Sequence, residues 1–496
     1  MDRFTATGGR DALGPQTVRA ATWAFIALVG GRAISVVALA GLARLLGPAD
    51  FGLMAFALVF ITYAETIGDL GTSAALIYWP DRDRGRDDVA QLTFRVSLIA
   101  GLAWFAISWI AAPWVAGFFH AAETTSILRA LAWTFPLKAL GSTHDALAQK
   151  DLRFRARFVP EIGLAAFKAA VSLALAVIGF GVWSLVFGHL AGVLAWTMLL
   201  WIVVPWRPRA RVRHDLLGPV LSYGRSIVAV NMLAAVVHHS DVLVVGRMLG
   251  ATALGLYQVA GRLPDVTLMM IVRVAGRVLF PAFAQVSSSR EALRAAYLTA
   301  LKYVALLVLP AAVVLIALAE PVVRIVFGPP WLSTVPILRA LAVYAALRAL
   351  GTHAGDVLKA AGRPGLLAGF GLLKAALIVP ALVLAARVDA TAVAATLAGV
   401  TLVTVLINLA IVSRVLALPG GAVVAAIAPA IACAGAMGLV LAAWLHAASA
   451  FPAVAILAGG AALGAGVFVG FLRLLTPEIT GGLATTVRAA TAGGGR

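Results

Sequence analysis

Five cations stand in segments that otherwise read as apolar helix. Arg32, Lys138, Lys168, Arg348 and Lys374 each lie about ten to fourteen residues from either end of such a segment, roughly 15–21 Å at 1.5 Å per residue. That is near the middle of a bilayer, where a charge costs about 2.5–3.5 kcal/mol on insertion scales, so each of them calls for a wet cavity or an ionic partner. Guanidinium and ammonium groups together clamp phosphate or pyrophosphate, the first through a planar fork and the second as a point charge. A further stripe, Arg262, Asp265, Met269, Arg273 and Arg277, recurs every three or four residues and shares one helix face. Its spacing predicts that Asp265 pairs with Arg262 and leaves Arg273 and Arg277 free. Arg32, Lys138, Lys168, Arg273, Arg277, Arg348 and Lys374 are therefore the candidate anion-binding set. Glu65, Asp69, His238, His239 and Asp265 are candidates for coupling transport to an ion, or for pairing with those cations.

These side chains need a membrane scaffold, and composition supplies one. Of 496 residues, 62% are hydrophobic and only 12% charged, against about a quarter charged in soluble domains. Segments long enough to cross a hydrocarbon core of about 30 Å fall near 19–43, 51–75, 89–112, 125–148, 157–179, 181–204, 216–245, 253–282, 296–319, 334–358, 364–386, 391–413, 421–445 and 452–473. With the N-terminus cytoplasmic, 22 basic residues lie in inward segments and four in outward loops, the bias the positive-inside rule requires. An odd helix count would spoil the alternation, so both termini are expected inside.

The chain is also duplicated. Leu128–Gly141 (LRALAWTFPLKALG) returns as Leu338–Gly351 (LRALAVYAALRALG), which aligns Lys138 with Arg348. Phe167-Lys168-Ala169-Ala170 returns as Leu373-Lys374-Ala375-Ala376, and Arg44-Leu45-Leu46-Gly47 as Arg247-Met248-Leu249-Gly250. The copies are an even number of helices apart, so they share one orientation in the membrane. The reading is an all-α polytopic membrane protein of about 14 transmembrane helices, in two pseudo-symmetric six-helix lobes plus two extra C-terminal helices. The N-lobe covers 1–204, a cytoplasmic linker 205–215, the C-lobe 216–415, the extra pair 416–475 and a cytoplasmic tail 476–496. Two lobes facing each other would bring both repeat-related cation pairs to one cavity. Gly460, Gly464, Gly466 and Gly470 give the last helix a small face suited to close packing.

Several functions fit poorly. The net charge of +18 is set by topology, so nucleic acid is not a partner. Cys433 is the single cysteine, which removes intramolecular disulfide chemistry. His238 and His239 are adjacent on a helix and point about 100° apart, so they do not share a metal ion easily; no metal and no cofactor is implied, and proton coupling suits them better. Asp81-Arg82-Asp83 spells the D-x-D of a glycosyltransferase, but no nucleotide-binding domain accompanies it, and the longest outward loop lacks the acid-base pair of a polymerase. A membrane glycosyltransferase or polymerase is one alternative. A multidrug exporter is another, although its cation-binding acid is missing from helix 1.

The run Leu42 to Ile77, with Arg44-Leu45-Leu46-Gly47-Pro48, Phe51-Gly52, Gly68-Asp69-Leu70-Gly71 and Ser73-Ala74, resembles the N-terminal signature of the polysaccharide transporter branch of the multidrug/oligosaccharidyl-lipid/polysaccharide exporter superfamily, the Wzx-type flippases. Asp241 to Tyr257 is similar to its second-half counterpart. The resemblance implies a two-lobed transporter, not an enzyme, that moves undecaprenyl-pyrophosphate-linked oligosaccharide to the outer leaflet by alternating access for O-antigen, exopolysaccharide or capsule synthesis. Polymerase and chain-length machinery are the implied protein partners. In the related lipid II flippase branch a functional arginine lies twelve residues before the R-x-x-G turn, the spacing of Arg32. The second arginine usual in that branch is replaced here by Ala38, which favours the polysaccharide branch.

Overall fold

A computed structural model describes residues 30–31, 34–68, 70–79, 85–151, 153–209, 214–285, 289–360, 363 and 365–475. Helix dominates them, and no strand occurs among the described residues. Ten of their helices are long and apolar enough to cross a membrane. Four of the expected fourteen segments do not add to that number. The first and eleventh are described as shorter apolar helices, Ile34–Leu45 and Gly369–Ala385. The fourth is interrupted, and the seventh and eighth run together as one element.

By its internal contacts the chain divides at Val236/Val237 into two compact units. The first holds α1 (Ile34–Leu45), α2 (Pro48–Gly68), α3 (Thr72–Tyr78), α4 (Gly85–Phe118), α5 (Thr124–Leu131), α6 (Thr134–Lys150), α7 (Phe154–Val177), α8 (Val182–Val203) and the start of α9 (Leu217–Gln285). Its core is built from Leu42, Met54, Ile61, Leu128, Leu131, Phe135 and Val186. The start of α9 lies against the turn between α2 and α3, where a Cβ added to Gly224 would sit 1.9 Å from the Leu70 carbonyl oxygen. Backbone meets backbone there, and only glycine permits it. Close by, Tyr78 stacks on Tyr223 with centroids 5.1 Å apart, and the Tyr63 hydroxyl donates to the Ala235 carbonyl at 3.3 Å.

The second unit holds the rest of α9, then α10 (Arg290–Ala317), α11 (Ala319–Val326), α12 (Thr334–Ala360), α13 (Gly365–Ala385), α14 (Ala390–Leu416), α15 (Ala422–Ala447) and α16 (Ala453–Leu475). Tyr297, Leu301, Leu306, Val357, Val405 and Val412 form its main core. The pair that stands outside the duplication, α15 and α16, packs on α10 and α11. Only half of the small face on α16 is used for this. Added Cβ atoms at Gly460 and Gly464 would lie 2.7 Å from Leu318 and 3.2 Å from Val314, whereas Gly466 and Gly470 have nothing within 4 Å.

The duplication is visible in the backbone, as is one departure from it. Its Arg-x-Leu-Gly turn interrupts the helix in both copies. Gly47 lies between α1 and α2 with its N–H on Asp50 Oδ2 at 3.0 Å, and Gly250 breaks α9 with φ 83°. The Leu128–Gly141 stretch, in contrast, is split between α5 and α6 while Leu338–Gly351 lies inside the unbroken α12. Pro136 explains the split, since its counterpart is Ala346. Proline offers no N–H to the carbonyl four residues back and its ring crowds that carbonyl. The carbonyl is that of Ala132, which instead accepts a tight i−3 bond from Phe135 at 3.1 Å.

Candidate functional site

In the first unit the central pair is Lys138 on α6 and Glu65 on α2. Lys138 Nζ donates to Glu65 Oε2 at 2.8 Å, and both side chains are half-buried. Glu65 Oε1 is buried with no hydrogen-bond partner among the described residues. The pair lines a cavity of about 260 Å³ bounded by α2, α3, α4, α6 and α8. A second carboxylate of that cavity, Asp145, is held by the Arg157 guanidinium at 3.0 and 3.4 Å. Lys168 sits on α7 where α8 comes closest. An added Cβ at Gly188 would lie 2.9 Å from the Lys168 carbonyl, and one at Gly192 3.0 Å from Lys168 Cβ. Lys138 and Lys168 are both within electrostatic reach of His189 on α8.

The second unit arranges the corresponding groups differently. Asp265 on α9 is shared by two guanidinium groups. Arg273 Nη1 lies 3.5 Å and Arg348 Nη2 3.8 Å from Asp265 Oδ1, and Arg273 Nη2 also donates to the Asp265 carbonyl at 2.8 Å. Arg348, on α12, is further fixed by Met269 Sδ at 3.1 Å, by the Tyr344 hydroxyl at 3.4 Å and by its position 5.5 Å from the Tyr344 ring centroid. Met269 thus serves as a packing and orienting neighbour rather than as a spacer in the stripe. Lys374 on α13 is within electrostatic reach of Arg348, and His238 of both. Arg273 Nε is buried and has no acceptor among the described residues.

Two expectations change at this point. Arg273 is not left free, because it reaches back two turns to Asp265; and Asp265 is not devoted to Arg262, because Arg348 also approaches it. Helical spacing along one element does not see a cation arriving from another. Glu65, read from sequence as a coupling candidate, faces Lys138 directly. Arg32, Asp69 and the side chain of Arg277 lie outside the described residues, as do Asp81-Arg82-Asp83.

Other groups at the site carried little or no signal in the sequence. His189 is a lone histidine in an apolar run and Tyr344 a lone aromatic, and only the positions of the lysines and of Arg348 single them out. Asp241, next to the conspicuous histidine pair, accepts the Tyr257 hydroxyl at 2.8 Å through Oδ2, while its Oδ1 is buried without a partner among the described residues. Among the described residues no three His, Cys, Asp or Glu side chains are placed to hold a metal ion.

Comparison with known proteins bears on both the fold and the family. A family model described as polysaccharide biosynthesis protein matches residues 41–336. The teichuronic acid biosynthesis protein TuaB of Bacillus subtilis (strain 168) is 26% identical over 358 residues, covering 71% of this chain and 72% of that protein. The lipopolysaccharide biosynthesis protein WzxC of Escherichia coli (strain K12) is 26% identical over 385 residues, covering 74% and 75%. The succinoglycan biosynthesis transport protein ExoT of Rhizobium meliloti (strain 1021) is 25% identical over 354 residues, covering 71% of each chain. Among solved structures, the lipid II flippase MurJ in an inward closed conformation superposes with a TM-score of 0.74 at 14% identity, covering 92% of this chain and 100% of that one. An inward-facing multidrug resistance transporter of the MATE family, in the MOP superfamily, gives a TM-score of 0.61 at 16% identity, covering 79% and 94%. The fold is that of this transporter superfamily.

Proposed function

The chain belongs to the polysaccharide biosynthesis protein family, and from that premise we propose that it is a flippase for undecaprenyl-pyrophosphate-linked oligosaccharide. It carries the lipid-linked repeat unit across the bacterial cytoplasmic membrane by alternating access, with both termini in the cytoplasm, and supplies a polymerase that builds O-antigen, exopolysaccharide or capsule. It is a transporter and performs no covalent chemistry on its substrate.

The observation that carries this reading is the shared carboxylate of the second unit. Two guanidinium groups on one Asp265, with Lys374 nearby, leave a net positive site among membrane-spanning helices, where an isolated charge is costly. A pyrophosphate offers the balancing negative charge and a row of acceptors for the guanidinium forks. A cationic drug would be repelled there, which sets the multidrug reading behind this one. Arg273, Arg348 and Lys374 are the headgroup-binding residues of this proposal, with Arg32, Arg277 and Lys168 as the further cations of the set; Lys138 is already matched by Glu65.

The test is complementation of a strain lacking its polysaccharide flippase, at matched membrane expression. Wild type restores surface polysaccharide, whereas Arg348→Gln and Lys374→Gln accumulate the lipid-linked precursor on the inner side. Full activity in both variants would remove the headgroup assignment. Coupling is assigned to His238 and His239, since imidazole is the side chain best suited to gain and lose a proton during a transport cycle, with Glu65, Asp69 and Asp265 as the remaining candidates of the set. His238→Ala or His239→Ala is expected to slow transport and flatten its pH response in proteoliposomes, and wild-type pH profiles in both would end that assignment.

A further inference from the structure

The cavity of the first unit has a chemistry different from the cationic cluster of the second. Two indole rings form part of its wall, those of Trp104 on α4 and Trp196 on α8. Each is let in by a glycine. An added Cβ at Gly68 would lie 2.9 Å from the Trp104 ring, and one at Gly141 2.7 Å from the Trp196 ring. The same wall carries Glu65, Ser142, Asp145 and Gln149, a mixture of hydroxyl, carboxylate and amide groups that between them accept and donate hydrogen bonds.

Charge then decides what fits. Both carboxylates of the cavity are already matched, Glu65 by Lys138 at 2.8 Å and Asp145 by Arg157 at 3.0 Å. A cation finds no unbalanced acid, and a phosphate meets two carboxylates whose partners are engaged. The suitable occupant is neutral, rich in hydroxyls and flat on one face. A pyranose ring has those properties: its C–H face lies on an aromatic ring, and its hydroxyl rim pairs with amides and carboxylates. A volume of about 260 Å³ falls just under the roughly 300–1,000 Å³ of pockets for drug-sized ligands. It admits a single sugar residue rather than a chain. The cavity runs along α6 from Phe135 in its first turn to Gln149 in its last, next to Lys150 and Arg153. The charge distribution assigns that end to the cytoplasm, where lipid-linked saccharide is made.

We propose that this cavity of the first unit is a saccharide subsite that holds one neutral sugar residue of the lipid-linked substrate, with Trp104 and Trp196 as stacking platforms and the Glu65–Lys138 pair as a fixed polar wall. The inference rests on the flippase reading above, and it adds that glycan selectivity is exercised here, apart from the pyrophosphate-binding cations.

The experiment compares two probes bound to the full-length protein in nanodiscs: undecaprenyl pyrophosphate, and the same lipid carrying one residue from a panel of neutral hexoses and N-acetylhexosamines. At least one sugar-bearing lipid is expected to bind wild type about fivefold tighter than the bare lipid, the scale of one good aromatic contact. Trp104→Ala removes that preference and leaves the bare lipid's affinity unchanged, Trp104→Phe retains part of it, and Arg348→Gln weakens both lipids alike. The inference is overturned if wild type binds both lipids without preference. It is equally overturned if Trp104→Ala and Trp196→Ala, eluting as monodisperse protein, keep the wild-type preference. If wild type binds neither lipid, the flippase reading falls and takes this inference with it. Trp104→Phe keeps an aromatic face and most of the packing at that position, so it remains informative should the alanine variants misfold.

Discussion

The two units place repeat-related cations in opposite electrostatic situations. In the first, Lys138 faces Glu65 one to one. In the second, Arg348, which occupies the same position of the repeat, shares Asp265 with Arg273. The first arrangement is neutral and borders a cavity lined with rings and hydroxyls; the second is left positive, with a buried Arg273 N–H that has no acceptor among the described residues. Duplication thus supplied two copies of one cationic position, and the neighbouring acids then separated their chemistry. A repeated cationic position need not mean a repeated binding site.

That contrast is open to direct attack. The largest effect is expected from the second unit. Combining Arg273→Gln with Arg348→Gln removes both guanidinium forks, and flux of lipid-linked saccharide in proteoliposomes should fall about a hundredfold, two charge-assisted contacts each worth roughly 1.5 kcal/mol. An equal loss from Lys138→Gln alone would erase the distinction between the units. A smaller effect belongs to the first unit, where Glu65→Gln leaves Lys138 without its countercharge. The expected cost is roughly 1–2 kcal/mol of stability, discounted for the partial exposure of both side chains, and is measured as a lower melting temperature. Replacing both residues, Glu65→Leu with Lys138→Leu, should recover more than half of that loss, as removing a whole ion pair usually does. If the double variant is no better than the single, Lys138 has work beyond pairing. The smallest effect is expected from Pro136→Ala, which gives the first copy the alanine of the second at Ala346. It should let α5 and α6 join with less than about a threefold change in flux, since the tight turn at Ala132 is a local consequence of the ring.

Much of this arrangement was legible in the sequence because a membrane restricts what a chain can do. Backbone groups in lipid must bond internally, so long apolar segments become helices. The anomalous cations declared themselves by standing inside apolar helical segments, and the correspondence of Lys138 with Arg348 followed from the duplicated Leu128–Gly141 stretch. Helix ends were less legible. The break between α5 and α6 follows from Pro136, whereas nothing at the Leu249-Gly250 turn of α9 announces that two expected spans meet there without a loop.

The sequence by itself therefore determined the class of molecule, its duplication and the family to which it belongs. Only the tertiary structure decided which charges neutralise each other. Asp265 lies eight residues before Arg273 but 83 before Arg348, and one-dimensional spacing ranks only the first as a neighbour. The same holds for Trp104 and Trp196, two aromatic residues among many in apolar helices until the packing of α4, α6 and α8 sets them around one cavity. Ion pairing and cavity lining act over a few ångströms in space, and that distance is fixed by how helices pack against one another.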